Sequence, residues 1–358
     1  MINIVQSYDR SRQSWRLTME QWLYQILPDV PLLLLFVIIL GTLFLLSKGA
    51  DILVDEAVTL SIRWGIPKVL IGATIVSLGT TLPEASVSVA AAIGGNPDIA
   101  LGNAIGSVIC NTGLIIGIAS LIRPLPIHRS TTDQQSWILM GAGFLLVIVT
   151  LPWSHLGGLF SVEGNIPQWV GFIFLILLIS YLYLSLRQVK SKTSDVVPIE
   201  GEQDHASISV VIIKLIIGMT LIIVSSKVLL PTVVTTADRV GIPQSIIAAT
   251  LIAFGTSLPE LVTAIQASRK GHGELAVGNI IGANILNIFF VVGAATAVTE
   301  QGLTVPSYFY WFHIPFMLII LILFKIFLTA GKPVISKIQG IVLLIVYVIY
   351  SALGYILI

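Results

Sequence analysis

Shifted against itself by 176 residues, the chain superposes Gly65–Leu114 on Gly241–Phe290 without a gap, and 20 of the 50 positions are identical. The identities include Gly65/Gly241, Pro67/Pro243, Gly79/Gly255, Pro83/Pro259, Glu84/Glu260, Gly102/Gly278, Asn103/Asn279, Gly106/Gly282 and Asn111/Asn287. Unrelated apolar segments share Leu and Ile by chance, but they do not keep Gly, Pro, Glu and Asn in register. The chain therefore holds two copies of one unit. Both copies lie in apolar surroundings: of 358 residues 56% are hydrophobic and 10% charged, and the mean hydropathy of +0.97 lies far above that of an average soluble domain.

The apolar runs repeatedly reach the roughly 20 residues that cross a bilayer as a helix, and they lack the short alternating segments of a barrel. Apolar length and Gly, Pro and charge punctuation predict ten spans, at about 30–63, 66–93, 98–121, 135–151, 167–186, 207–239, 242–268, 274–298, 306–329 and 334–357. Five spans per copy is an odd number, so the second copy enters the membrane from the opposite side. The expected fold is an all-α membrane protein of about ten transmembrane helices, built as two inverted-topology five-helix repeats with a substrate site at their interface near the midplane. The divisions are a tail, 1–28, with an interfacial helix at Trp15–Leu27; a first repeat, 29–187; a polar linker, 188–206; and a second repeat, 207–358.

Basic residues collect on one side of this arrangement. Arg63, Lys68, Arg123, Arg129, Arg187, Lys190, Lys192, Arg269, Lys270, Lys332 and Lys337 share a face, and the opposite loops hold only Arg239. That asymmetry places the linker in the cytoplasm and both termini outside, against the pull of Arg10, Arg12 and Arg16 in the tail. The first 28 residues show no compact apolar core with a cleavage site, so a cleaved signal peptide is not expected. The single cysteine, Cys110, excludes an intrachain disulfide, and a net charge of +1 without basic or acidic blocks gives no sign of a nucleic-acid partner.

The chemistry is concentrated in a phrase that occurs twice, Gly-Thr-Thr-Leu-Pro-Glu at 79–84 and Gly-Thr-Ser-Leu-Pro-Glu at 255–260. A carboxylate at membrane depth is costly unless it faces a partner or a polar cavity, which makes Glu84 and Glu260 candidate functional residues. Pro83 lacks an N–H and opposes the carbonyl four residues earlier, so the backbone oxygen at Gly79 is freed to act as a ligand. The same reasoning applies to Pro259 and Gly255. Thr80 and Thr81 stand four and three residues before Glu84 and share its helical face, and Thr256 and Ser257 repeat this before Glu260. Hard cations take several oxygens from carboxylates, carbonyls and hydroxyls, which is the mixture these phrases supply. The following span of each copy adds a row at fourfold spacing: Asn103, Ser107, Asn111, and Asn279, Ala283, Asn287.

Simpler readings compete at several positions. Gly102, Gly106, Gly278 and Gly282 read as close helix packing. Asn103 and Asn279 read first as cross-links between helices and second as ion contacts. Asp98 and Glu274 each open a span, where an acid complements the helix dipole. For the two glutamates the repeated context favours cation binding over a structural role. No enzyme site is visible: all five histidines fall in or near predicted loops and no HExxH is present.

At these residues the chain resembles the cation/calcium antiporter superfamily, and specifically the prokaryotic sodium/calcium exchangers. The paired phrases, together with GNAIGSVICN and GNIIGANILN, are similar to that family's two α-repeats, here Ser77–Gly117 and Ala253–Gly293. The resemblance implies ten spans, alternating access and exchange of Ca²⁺ for Na⁺, with no cofactor, no enzymatic step and no obligate protein partner. By position it makes Glu84 and Glu260 the central carboxylates and Thr80, Thr81, Thr256 and Ser257 hydroxyl and carbonyl ligands. It makes Ser77 and Ala253 backbone-carbonyl contributors and places Ser107, Asn111 and Asn287 on the polar row. Asn287 is an Asp in some members, including potassium-dependent ones, so Asn here argues against K⁺ co-transport. Ala283 stands where a Ser commonly serves as a Na⁺ ligand. A proton/calcium antiporter and, further off, a cation channel are the alternatives that the residues leave open.

Overall fold

Helices run where the sequence is continuously apolar and stop at glycine or proline. Leu32–Trp64 (α2) follows Pro31 and ends at Gly65, whose φ of 63° is the left-handed conformation that glycine adopts without penalty. The computed structural model describes residues 19–153, 160–192, 207–241 and 255–357. A short helix, Met19–Ile26 (α1), precedes α2. After it come Lys68–Ile93 (α3), Pro97–Ile122 (α4), Arg129–Thr150 (α5), Gln168–Lys192 (α6), Ile208–Arg239 (α7), Leu258–Arg269 (α8), Gly273–Ala297 (α9), Phe309–Thr329 (α10) and Lys337–Leu357 (α11). Among the described residues, α2 to α7 and α9 to α11 are long and apolar enough to span a membrane. The seventh expected span is represented by α8, and its first half, with Ala253, lies outside the described residues.

Two boundaries differ from expectation. α5 begins at Arg129, not near 135, because Thr131, Thr132 and Gln135 are buried against the protein and so belong to the helix, not to a loop. Gln135 accepts a hydrogen bond from Tyr181 of α6 at 3.0 Å. α6 continues through Lys192, so the first residues of the expected 188–206 linker are helical. The interfacial helix expected at Trp15–Leu27 is described from Met19 as α1, where Leu23 packs with Leu27 and Leu35.

Glycine sets how closely the helices approach. α2 and α7 meet at Gly49 and Gly218, where a Cβ on Gly218 would lie 2.9 Å from the Leu53 nitrogen and 3.0 Å from the Gly49 carbonyl oxygen. α9 crosses α3 in the same way: a Cβ on Gly278 would fall 2.2 Å from the Val69 carbonyl oxygen, and one on Gly282 2.4 Å from that of Ala73. The packing reading of these two glycines is the one the structure supports. α9 is almost wholly enclosed, whereas α2, α7 and α11 turn most of their apolar surface outward.

Two small antiparallel ribbons join the halves. Leu125–Pro126 (β1), after α4, pairs with Val334–Ile335 (β4), before α11; Gly164–Ile166 (β2), before α6, pairs with Leu303–Val305 (β3), after α9. α5 separates β1 from β2 and is about 33 Å long at 1.5 Å per residue, so the ribbons cap opposite ends of the bundle. Each ribbon unites a strand from either repeat, and β1 and its counterpart β3 lie in different ribbons at opposite ends, the relation expected of an inverted repeat. At the β1–β4 end the basic loops also touch: Lys68 lies 3.1 Å from His272, Arg129 donates to the Gly331 carbonyl, and Lys270 bridges Asp51 at 3.1 Å and Asp55 at 2.9 Å. Arg239 contacts the Val30 carbonyl at the other end.

Candidate cation site

The two repeated phrases meet in the middle of the bundle but are not folded alike. Glu84 sits in the continuous helix α3, with Pro83 inside it. In the second repeat α8 starts at Leu258, so Pro259 occupies the first turn, where its missing N–H costs nothing, and Glu260 lies at the positive end of the helix dipole. Gly255 is itself helical and a turn at Thr256–Ser257 separates it from α8, so its carbonyl lies at a helix break and not inside one continuous helix as expected.

Glu84 and Glu260 are fully buried and adjacent, and the hydroxyls of Thr80 and Thr81 lie alongside Glu260. None of the four carboxyl oxygens is in hydrogen-bonding geometry with a protein donor. The Thr81 hydroxyl, both side-chain polar atoms of Asn287, Oδ1 of Asn111 and Nδ2 of Asn279 are likewise buried and unpaired. Buried polar groups are ordinarily satisfied, and leaving a charged one unsatisfied costs several kcal/mol. The unpaired oxygens of Glu84, Glu260, Thr81, Asn111 and Asn287 fit a ligand that bonds to oxygen. Among the described residues no three His, Cys, Asp or Glu side chains come together as a metal cluster, so hydroxyls, amides and carbonyls must complete any shell.

The surrounding hydrogen bonds cross between repeats and repeat themselves. Thr80 donates to Oδ1 of Asn279 at 3.5 Å, and Thr256 donates to Oδ1 of Asn103 at 3.1 Å. Each threonine and each asparagine is the other's counterpart at the 176-residue offset, so these are one contact seen twice about a pseudo-two-fold axis. Ser257 lies 3.4 Å from Ser107, again across the repeats. Asn103 also donates to the Glu84 carbonyl at 3.3 Å and to Ser88 at 3.0 Å, which makes it a cross-link between α4 and α3. Ser77 is buried beside the group, and its carbonyl, expected to be a ligand, accepts from the Thr80 hydroxyl at 3.3 Å.

Asn111 and Asn287 each open a π-helical turn, Asn111–Ile115 and Asn287–Val292. Such turns insert an extra residue and redirect side chains, and they recur at functional sites. Asn111 donates to Asn284 at 3.2 Å, and Asn284 donates to Thr112 at 2.7 Å. The sequence reading missed Asn284, which has Val108 as its counterpart and falls off the fourfold row. Its amide inside an otherwise apolar helix was the available signal. Ala283 is fully buried with no polar atom to offer. α7 lies over both phrases: Met219 packs on Gly79 and Leu230 on Gly255, where a Cβ would come within 2.5 Å and 2.3 Å of them.

These features are shared with known proteins. The sodium/calcium exchanger protein family matches residues 34–187 and 210–355. Sodium/calcium exchanger MaX1 of Methanosarcina acetivorans is 30% identical over 342 residues, covering 88% of this chain and 97% of that protein. Inner membrane protein YrbG of Escherichia coli is 32% identical over 330 residues, covering 90% and 98%. The structure of the sodium-calcium exchanger NCX_Mj soaked with 10 mM Na⁺ and 10 mM Sr²⁺ superposes with a TM-score of 0.75 at 26% identity, over 90% of this chain and 99% of the other. An all-helical, multi-pass membrane transporter with two inverted repeats around a buried carboxyl pair, this chain belongs to the sodium/calcium exchanger family.

Proposed function

We propose that the protein exchanges Ca²⁺ for Na⁺ by alternating access, with both ions competing for one site between the repeats near the membrane midplane. The observation that carries this reading is the set of four buried, unpartnered oxygens of Glu84 and Glu260. Two carboxylates balance one Ca²⁺ or two Na⁺, so occupancy by one ion excludes the other. Thr81, Asn111 and Asn287 hold the unpaired oxygens that would complete a shell, with Thr80, Thr256, Ser257, Ser107 and the carbonyls of Ser77 and Ala253 as further members. Asn284 orients Asn111. MaX1 and NCX_Mj, both named as sodium/calcium exchangers, support the choice of ions.

The face carrying Lys68, Arg129, Lys270 and Lys337 is the cytoplasmic one in this reading, and the linker near 188–206 joins two repeats, 29–187 and 207–358. At that face the Lys270 bridges from α2 to the α8–α9 loop form a closed gate. Protons could neutralise the same carboxyls in place of Na⁺, and the test separates the two. Purified protein in liposomes is given an outward Na⁺, K⁺ or H⁺ gradient and uptake of radiolabelled Ca²⁺ is followed. Uptake driven by Na⁺ alone supports the proposal, uptake driven by H⁺ alone replaces the counter-ion, and steady conductance without a counter-ion overturns exchange.

A further inference from the structure

α8 and α2 meet along two polar rows. Thr263, Gln266 and Lys270 are spaced three and four residues apart, a stripe that begins one turn beyond Glu260 and ends about 15 Å from it along the helix. Ser47, Asp51 and Asp55 are spaced four apart on α2. The rows are joined twice: Gln266 donates to the Ser47 hydroxyl at 2.8 Å, and Lys270 bridges Asp51 and Asp55. Thr263 is fully buried and its hydroxyl has no partner. A helical threonine commonly returns its hydroxyl to the carbonyl four residues earlier, as Thr74, Thr232 and Thr236 do here, and Thr263 does not. Polar and ionisable residues within membrane helices mark ion pathways. At the other end of the bundle, bordered by Tyr24 of α1, lies a cavity of about 160 Å³ that Val87, Ser226 and Pro231 help to line. Their counterparts at the 176-residue offset are Thr263, Ala50 and Asp55, so the twin of that cavity falls on the joined α2–α8 rows.

We propose that Thr263 is a further ion-contact residue, set inside a closed route between α2 and α8, and that the Gln266–Ser47 hydrogen bond is the latch that keeps it shut. The inference rests on the cation-exchange reading given above. When the rows part, the Thr263 hydroxyl offers an oxygen to a cation leaving Glu260, one turn away. Asp51 and Asp55, released from Lys270, then draw the cation on toward the mouth. Val87, the twin of Thr263, has no oxygen to offer, so the contact belongs to the route on the Lys270 face alone.

The test applies an impermeant thiol reagent to one face at a time of oriented protein in liposomes, with the unsubstituted chain and its buried Cys110 as background. Thr263→Cys should be modified from the Lys270 face and not from the other. Adding Ser47→Ala, which removes the latch, should speed that modification about fivefold. Ser47→Cys, on the facing row, should show the same sidedness and carries the test should Thr263→Cys not fold. Thr263→Val keeps the side chain's shape without its oxygen and should slow Ca²⁺ exchange about tenfold, and Thr263→Ser should recover most of that loss. Cysteines that react from the opposite face or from neither, or Thr263→Val exchanging at the wild-type rate, would overturn the proposal. Wild-type protein that exchanges no cation would instead overturn the exchange reading itself, whatever the labelling shows.

Discussion

Glu260→Gln should act in opposite directions on the empty and the Ca²⁺-bound protein. The amide fills nearly the same volume, so packing is preserved, while one of two adjacent carboxyl groups without donors is replaced. A buried polar group left unpaired costs about 1–3 kcal/mol, and a charged one more, so the ion-free variant should be at least as stable as wild type. Calcium binding loses one of its two formal charges. A loss of about 2.7 kcal/mol weakens Kd by roughly 100-fold. At a Ca²⁺ concentration 100 times the wild-type Kd, wild type gains about 2.7 kcal/mol of stability, whereas the variant, then at its own Kd, gains only about 0.4 kcal/mol. Thermal unfolding in detergent, followed by the fluorescence of the seven tryptophans with and without a chelator, reads both quantities. Glu84→Gln should behave alike. If either variant keeps the full calcium-dependent rise in Tm, the two carboxyls are not the Ca²⁺ site.

Gly282→Ala should destabilise by about 1–3 kcal/mol, because its Cβ would lie 2.4 Å from the Ala73 carbonyl and 2.5 Å from the Ser77 hydroxyl. Gly141→Ala, on an exposed face of α5, should cost nothing measurable in the same unfolding assay. His272 is held below its usual pKa of 6.5 by burial and by the neighbouring Lys68 ammonium, so its neutral form is the one the fold favours. Stability contributed by that contact is present above about pH 6.5 and is lost as pH falls, and His272→Gln should flatten the dependence of Tm on pH between 5 and 7. Cysteine introduced at Ser191 and at Gln301 should label from opposite sides of the membrane with an impermeant thiol reagent. Equal labelling from outside would refute the topology.

Much of this architecture is legible because glycine and proline punctuate long apolar runs: Gly65, Gly271 and Gly331 all take positive φ at helix ends, where no other residue fits as readily. The carboxyl pair is legible because charge at membrane depth has few structural explanations. Other features depend on the assembled fold. The polar start of α5 reads as a loop until Tyr181 and Lys325 reach across to Gln135, Asp133 and Ser136. Ribbons of two and three residues carry no periodic signal. The break before Leu258 leaves two nearly identical phrases in different backbones, a difference that their residues alone do not signal. Asn284 escapes because the internal repeat, a guide at Asn103 and Asn111, points at that position to a valine.

The crossed Thr80–Asn279 and Thr256–Asn103 contacts and the two ribbons have the form of an isologous interface, in which residue i meets j and j meets i. A two-fold dimer of identical half-length chains, inserted in opposite orientations, would make the same contacts without a covalent link. The repeats are therefore held together by an interface that a single ancestral half could have formed with itself. Within one chain, each copy is free to differ from its twin. Ser77 against Ala253 and Ser107 against Ala283 in sequence, and a helix broken before only one of the two prolines, mark where the copies differ, and each twin pair supplies its own internal control for mutagenesis.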